Sequence, residues 1–488
     1  TGFLIVLSYL LIVLIMKGIV WFRSDLRIDD NPALNAALRN CDEVLAIYIF
    51  SQSQWEIHYE SNIKQEFLFN NLTSLEESLL KLNIPLIAIN TDSYKTLPKD
   101  LLNFVIKQKI ENIFWNNEFG VNESERDLAV EKNLNENNVQ ITRFDDQVIY
   151  QPGFLKTGHG NPFSVFTPFK RRWIENFEMD FLDIDKPKHA KEPNLVKSDL
   201  SILKFTKTHD AKIDLWPAGE VAAQDRLANF LSSKVKSYSE TRNSPILDGT
   251  SRISPYLALG ILSPKRCILE GLKLNNFEFT SGNKGICKWI DEIVWREFYR
   301  NIMHSFPRVS KNKPFKPDTE SIQWRHSDKE LEAFYTGNTG FPIVDAGIRQ
   351  MLAEGWMHNR LRMVVAMFFT KNMLHDWRLG ERFFMQNLID GDFSSNNGGW
   401  QWSSSTGTDS APYFRIFNPI TQSQNFDPKG EFIKHFIPEL KDVPINKIHQ
   451  PQIDLFSSYD YPEPILDLKE SRLRAIQAFK DAREEVNA

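Results

Sequence analysis

From Lys17 to about Tyr150, short apolar runs alternate with amphipathic stretches. Strand-like runs fall at Ile19–Phe22, Val44–Phe50, Leu86–Asn90, Asn112–Trp115 and Val139–Phe144. Helix-like segments such as Asn62–Lys81 and Leu97–Lys109 lie between them. Buried strands alternating with helices predict a parallel sheet covered on both faces. No GxGxxG follows the first strand, so the dinucleotide fingerprint is absent and this domain need not hold a redox cofactor.

From about Gln151 to Leu215 the pattern weakens, and Pro, Gly, Lys and Asp interrupt it, apart from one amphipathic stretch at Phe166–Phe177. A long connector wrapping the surface is expected there. Beyond Trp216-Pro217 nearly everything has helical periodicity, as at Glu220–Ser233, Lys288–Met303, Ile343–Glu354 and Leu361–Leu374. The expected organisation is therefore an α/β domain over 16–150, a connector over 151–215 and an all-helical domain over 216–488. Ahead of it, Phe3–Met16 is apolar except for Ser8 and Tyr9. This run is shorter than the roughly 20 residues of a membrane-spanning helix. It lacks the basic start and small-residue cleavage site of a signal peptide. Residues 1–15 are expected to lie outside the functional fold; a membrane anchor is the less favoured reading.

Composition narrows the class. A chain of 488 residues predicts two domains. With 42% hydrophobic and 25% charged residues it reads as an ordinary globular protein. Aromatic residues reach 12%, including 36 Phe and 12 Trp, more tryptophan than core packing alone asks for. The formal net charge of -5 argues against coating nucleic acid through bulk charge, yet leaves room for a local basic groove. Cys41, Cys267 and Cys287 are scattered without metal or redox spacing, which fits a reduced, cytoplasmic compartment. No HxxxH pair occurs, so no helical metal site is expected.

Four stretches could carry chemistry. In Asp248-Gly249-Thr250-Ser251-Arg252-Ile253-Ser254-Pro255, hydroxyls and an arginine lead into a helix, with Ser254 as N-cap and Pro255 as first helical residue. That composition suits a phosphate, and suits an ordinary capped helix equally. In Lys288–Arg300, Glu292, Trp295 or Arg296, and Tyr299 recur at helical spacing, so a carboxylate and an aromatic plane share a face. A flat indole beside an acid suits a flipped-out base pair, or a core tryptophan beside a solvated charge. In Gly355–Met363, Asn359 and Met363 are one turn apart, an amide and a thioether suited to a base edge and a thymine methyl; His358 reads as structural. The densest stretch is Leu388–Trp402, where Asp390, Asp392, Asn396 and Asn397 precede Gly398-Gly399-Trp400-Gln401-Trp402. Glycines there permit close approach to a flat ligand, and acids and amides can bond the polar edge of a ring. Asp392 or Ser394 would also serve as a plain helix cap. Trp324, Trp377 and Trp400 are far apart in sequence, which leaves open whether they are neighbours or three separate core indoles.

Together these segments resemble the photolyase/cryptochrome family, and within it the class I cyclobutane-dimer photolyases. The resemblance runs from Lys17 to near the C-terminus. Its most specific parts are Trp356–Leu374 and Asp376–Pro419, with Ala411-Pro412-Tyr413-Phe414-Arg415-Ile416-Phe417-Asn418-Pro419. Trp21–Arg27 with Asp30–Leu34 is similar to the family's N-terminal signature.

The resemblance implies a Rossmann-like α/β antenna domain joined to an all-helical FAD-binding domain. It implies light-driven repair, in which an electron from photoexcited reduced FAD splits a flipped-out pyrimidine dimer in DNA. Tyr238, Thr250, Ser251, Arg252, Ile253 and Ser254 would hold the phosphates and ribityl chain, and Trp402 would add a further contact. Arg362 and Asp390 would pair beside the flavin ring, Asp392 would face its polar edge and Asn396 its N5. Glu292, Trp295, Asn359 and Met363 would line the lesion pocket, with Arg242, Arg360 and Arg415 on DNA phosphates. Trp324, Trp377 and Trp400 would carry electrons inward.

Asn359 and Met363 stand where (6-4) photoproduct enzymes carry histidines, and Asn396 stands where plant-type cryptochromes place an aspartate. These positions favour dimer repair over a blue-light photoreceptor that keeps FAD without repair, the principal alternative. A single-strand-preferring relative of the cryptochrome-DASH type is a third. For the antenna, Asn122 and Glu123, with His58 and Lys311, favour 5,10-methenyltetrahydrofolate over a deazaflavin, although Ser310 replaces a cysteine of a folate-binding relative. A monomer without metal is expected.

Overall fold

The computed structural model describes residues 15–453 and 459–487. The apolar leader, apart from Ile15, lies outside them. Five strands form one parallel sheet: β1 (Lys17–Phe22), β2 (Glu43–Phe50), β3 (Leu86–Asn90), β4 (Asn112–Asn116) and β5 (Gln140–Phe144). Their order is β3-β2-β1-β4-β5. The two directions of winding part between β1 and β4, leaving a crevice beyond the carboxyl ends of those strands.

The strands alternate as a two-residue period demands. Val20, Phe22, Val44, Ala46 and Phe114 face one core, whereas Ile19, Trp21, Leu45, Ile47, Ile113 and Trp115 face the other. The first core runs without a break into the helical domain, through Tyr256, Trp289 and Phe298. The two domains therefore share apolar packing rather than meeting across a wet surface.

The turn after β1 fastens them further. Arg27 donates to both oxygens of Asp146 at 2.6 and 2.8 Å and to the Gly260 carbonyl at 3.0 Å. Leu26 N–H donates to the Leu259 carbonyl, and the Glu220 carboxylate accepts the N–H groups of Ile28 and Asp29. Gly260 has φ +62°, and a Cβ there would lie 2.1 Å from the Ser24 carbonyl oxygen, so this approach needs glycine. Trp21–Arg27 is thus the joint between domains.

Three expectations need correction. The segment 151–215 is more than a surface wrap, because Phe166, Phe169 and Trp173 of the helix Phe166–Glu175 are buried. Trp173 Nε1 donates to Glu297, which also accepts the N–H groups of Ile149 and Tyr150. The helical pattern at Leu361–Leu374 is interrupted: an α-helix covers Asn359–Met367 and a π turn follows over Phe368–Asn372. Apolar periodicity does not register the extra residue in that turn. Ser254 is not an N-cap: the helix Ser254–Ala258 is capped at Ile253, and the Ser254 hydroxyl accepts from Trp356 Nε1 at 3.2 Å. No described helix is long and apolar enough to cross a membrane.

Arg27 and Asp146 are both almost wholly buried. Asp146→Ala leaves that guanidinium without its carboxylate and should lower the unfolding free energy by about 3–5 kcal/mol in a denaturant titration. A loss of less than about 1 kcal/mol would mean that the joint does not depend on this pair.

Candidate active site

The long helix Lys284–Ser305 starts at Asn283, whose side chain accepts from Ile286 N–H. Glu292 and Trp295 lie on its partly exposed side. Glu292 accepts from Arg242 at 2.5 Å and lies 3.5 Å from the Lys288 ammonium. Arg360 bonds Asn243, next to Arg242. Burial and repulsion from Arg242 and Arg415 lower the Arg360 pKa, so the three arginines form one basic cluster. Asn359 is exposed at the start of its helix, and Met363 is half-buried one turn on. His358 caps that helix through Nδ1; burial, reinforced by Arg252 and Arg360, pushes it down to about 3, so it stays neutral.

Trp295 and Arg296, the open pair, are both half-buried, and their partners separate them. Arg296 turns inward to the carbonyls of Gln147 and Leu257, where burial and Arg300 lower it to about 9. Trp295 lies face to face with Phe166, centroids 3.7 Å apart. Sequence reasoning missed Phe166, whose signal was the amphipathic stretch in the connector.

A second group converges on the helix Phe393–Ser404. Asp392 caps it, accepting from Ser395 N–H at 2.9 Å, and pairs with Arg300 of the long helix at 2.8 Å. Burial alone would raise the Asp392 carboxyl, but Arg300 and Arg296 outweigh it and hold it well below the usual range. Asn396, one turn on, donates to the Glu381 carbonyl at 2.9 Å, which fixes its amide. A Cβ at Gly399 would meet nothing within 4 Å, so the face carrying Asn396 borders open space. Trp402, three residues further, continues that face and is half-buried. Arg362 pairs with Asp390 through one nitrogen at 2.7 and 2.9 Å and is oriented by the Met357 carbonyl.

The hydroxyl stretch stands apart from these carboxylates. Thr250, Ser251 and Arg252 are half-buried and Ile253 is buried. Arg252 has φ +50° and lies over Trp356, and Ser251 accepts from Trp289 Nε1 at 3.4 Å. Tyr238 is buried edge-on to Phe230. The helix after this stretch is little more than one turn, so hydroxyls and Arg252, more than a helix dipole, are the donors available to a phosphate. A fold with hydroxyls and a guanidinium at one place, a carboxylate, an amide and an ion pair at another, and open helix surface at Gly399 has the donor set that FAD needs.

Trp324, Trp377 and Trp400 belong to one aromatic cluster. Trp377 and Trp400 are buried, and Trp324 is partly exposed at its edge. Trp400 stands edge-on to Phe384 at 4.9 Å, and Gly380 lets the helix Trp377–Asn387 approach it. Arg325 N–H donates to the Leu374 carbonyl, which ties the segment holding Trp324 to the one leading into Trp377.

A cavity of about 380 Å³ opens between the carboxyl ends of the strands and the helical domain. Arg23, Glu118 and Arg126 line one side, and Arg300, Glu381 and Asp392 the other. Its size suits a small organic ligand. His58, Asn122 and Glu123 are brought together on its wall: Asn122 Nδ2 is 3.0 Å from His58 Nε2, and His58 Nδ1 is 3.8 Å from Glu123. Burial raises the Glu123 carboxyl against the pull of His58. Lys311 is not part of this wall; its side chain is exposed, while its neighbours Ser310 and Asn312 line the cavity. Arg23 and Arg126, buried over the Trp21 ring, were not singled out as cavity residues from sequence: Arg23 stood only within the Trp21–Arg27 signature, and Arg126 lies mid-helix among charged residues.

Comparison with known proteins finds relatives along almost the whole chain. The family model described as DNA photolyase matches residues 18–193, and that described as the FAD binding domain of DNA photolyase matches 289–481. The deoxyribodipyrimidine photo-lyase of Escherichia coli is 40% identical over 95% of this chain and 98% of its own. That of Neurospora crassa is 36% identical over 94% of this chain and 81% of its own. A class III photolyase from Agrobacterium tumefaciens superposes with TM-score 0.86 at 32% identity, covering 98% of this chain and 100% of that one. A Synechocystis cryptochrome superposes with TM-score 0.84 at 26% identity, covering 95% and 99%. With both family models matched along one continuous fold, the chain belongs to the DNA photolyase family and carries that family's FAD-binding domain.

Proposed function

We propose that this chain repairs DNA by light-driven splitting of cyclobutane pyrimidine dimers. The observation that carries the reading is the pairing of two surfaces by Arg300 and Asp392. On one helix Glu292 and Trp295 face outward; on the other Asn396 and Gly399 border open space. When bound, reduced FAD supplies under blue or near-ultraviolet light the electron that opens the cyclobutane ring and receives it back.

The protein's own work is then positioning and electrostatics. Thr250, Ser251, Arg252 and Ser254 would hold phosphates, and Tyr238, Ile253 and Trp402 would close the cofactor's surroundings. The Arg362–Asp390 pair and Asp392, kept ionised by Arg300, would fix the polar edge of the ring, with the Asn396 amide beside it. A dimer flipped from the helix would stack on Trp295, with the Glu292 carboxylate accepting from its ring N–H groups and its partner Arg242 donating to its carbonyls. Asn359 and Met363, neutral and soft, would meet base edges and methyl groups, which supports cyclobutane dimers of the class I type over lesions that need histidine chemistry. Arg360 and Arg415 would hold phosphates, making binding salt-dependent. Trp324, Trp377 and Trp400 would give electrons a path from the surface to the flank of Asn396.

The His58–Asn122–Glu123 wall supports a folate antenna, 5,10-methenyltetrahydrofolate, in the interdomain cavity. The free cysteines Cys41, Cys267 and Cys287 support a cytoplasmic setting, in a monomer without metal. The likeness to a cryptochrome favours a second reading, a photoreceptor that holds FAD without repair.

Paired variants test the division of labour. Glu292→Ala should lower dimer repair by about tenfold to a hundredfold, the loss of a charged hydrogen bond, with FAD content unchanged. Trp377→Phe should abolish photoreduction of oxidised protein while sparing repair by protein reduced beforehand. Full repair by Glu292→Ala removes that residue from the site, and normal photoreduction by Trp377→Phe removes the tryptophan route. An absorbance spectrum of the purified protein tests the antenna: a folate adds a near-ultraviolet band, and a deazaflavin band in its place contradicts the assignment.

A further inference from the structure

The helix Phe166–Glu175, the amphipathic stretch within the expected connector, is bound to the long helix along its length. Phe166 stacks on Trp295 with ring centroids 3.7 Å apart and planes within 8°. Phe169 meets Phe298 at 5.3 Å, Lys170 pairs with Asp291 at 2.5 Å, and Trp173 Nε1 donates to Glu297 at 2.9 Å. The start of the helix is fixed as well: Phe166 N–H donates to Asp409 Oδ2 at 3.2 Å, and the Thr408 hydroxyl donates to the Ser164 carbonyl at 2.6 Å. Phe166 is 7% exposed, whereas Trp295 is only half-buried.

A half-buried indole on a helix has several rotamers open to it. A fixed ring lying parallel on one face leaves those that keep the two planes parallel. The edges of the same indole are met by Phe298 at 84°, which blocks rotation the other way. Tyr299 also stands beside the indole, tilted 34° at 5.7 Å, and the indole stays partly exposed; a flat ligand arriving on the face away from Phe166 then finds its stacking surface already in place and loses less freedom on binding.

We propose that Phe166 is a positioning residue for the lesion: it holds the Trp295 indole as a fixed platform, so that a flipped-out pyrimidine pair stacks on the opposite face. This rests on the reading of the Glu292–Trp295 surface as the lesion pocket. It makes the connector helix the third wall of that pocket, and it predicts that Phe166 acts on lesion recognition rather than on general DNA affinity, since Phe166 itself carries no charge and faces no phosphate.

The experiment uses the full FAD-loaded protein with Phe166→Leu, Phe166→Tyr and Trp295→Ala. Leucine keeps apolar volume without a flat ring; tyrosine keeps the ring. Binding is measured to an oligonucleotide with one thymine dimer and to its undamaged counterpart, with flavin absorbance and thermal melting confirming the fold. Phe166→Leu should weaken dimer binding by roughly three- to tenfold, the range of an aromatic pair, with undamaged DNA bound as before. Phe166→Tyr should restore dimer binding. Parent-like dimer affinity in Phe166→Leu, equal loss on both DNAs, or failure of Phe166→Tyr to restore binding overturns the proposal. If Trp295→Ala costs dimer affinity and Phe166→Leu does not, this proposal alone fails. If Trp295→Ala costs nothing, the pocket reading fails and takes the proposal with it.

Discussion

A guanidinium and a carboxylate taken out of water must find each other, and the Arg300–Asp392 pair is where this molecule meets that constraint. Arg300 belongs to the long helix that presents Glu292 and Trp295. Asp392 caps the helix that presents Asn396 and Gly399. Joining them sets the distance and rotation of one surface against the other. The same two side chains line the interdomain cavity. One ion pair therefore stands between that cavity and the open helix face at Gly399, and Arg296 behind it, displaced toward neutrality by burial, adds field without adding a second full contact.

The α/β domain is held to this centre by means of the same kind. Arg27, braced by the buried Asp146 of its own domain, donates to the Gly260 carbonyl across the joint, and the Gly260 backbone comes so close to Ser24 that only glycine fits. Apolar packing continues from the sheet through Tyr256 and Trp289. Such a joint leaves little relative movement between a ligand in the cavity and one beside Asn396. Energy passed between two chromophores depends on that constancy, which is what a light-gathering domain would require.

The sequence foretold much of this, and its failures have physical causes. All five strands fall within two residues of their expected runs; β1, β2 and β4 are central and apolar on both faces, whereas β5 is a largely exposed edge strand paired with β4. The acid and amide stretch at Asp390–Asn396 was visible as an excess of unusual residues at one place. The connector helix was underrated because a short amphipathic stretch amid Pro and Lys looks like surface until its partner, Trp295, is known. Ser254 looked like a cap by composition, but the left-handed turn at Arg252 gives its hydroxyl to Trp356 instead. Lys311 does not line the cavity although Ser310 and Asn312 on either side of it do, a matter of side-chain direction that spacing does not encode. That Trp324, Trp377 and Trp400 share one cluster comes from long-range contacts such as Arg325 with Leu374, which leave no local trace.

Light-driven repair is proposed for the place where the Glu292–Trp295 and Asn396–Gly399 faces are held together by Arg300 and Asp392. The most direct test illuminates the reduced, FAD-loaded protein with two oligonucleotides, one holding a thymine cyclobutane dimer and the other a (6-4) photoproduct, and follows absorbance near the thymine band. The account predicts recovery in the light for the cyclobutane dimer alone and none in the dark. No light-dependent recovery of the dimer, with the flavin verified as reduced, would contradict it.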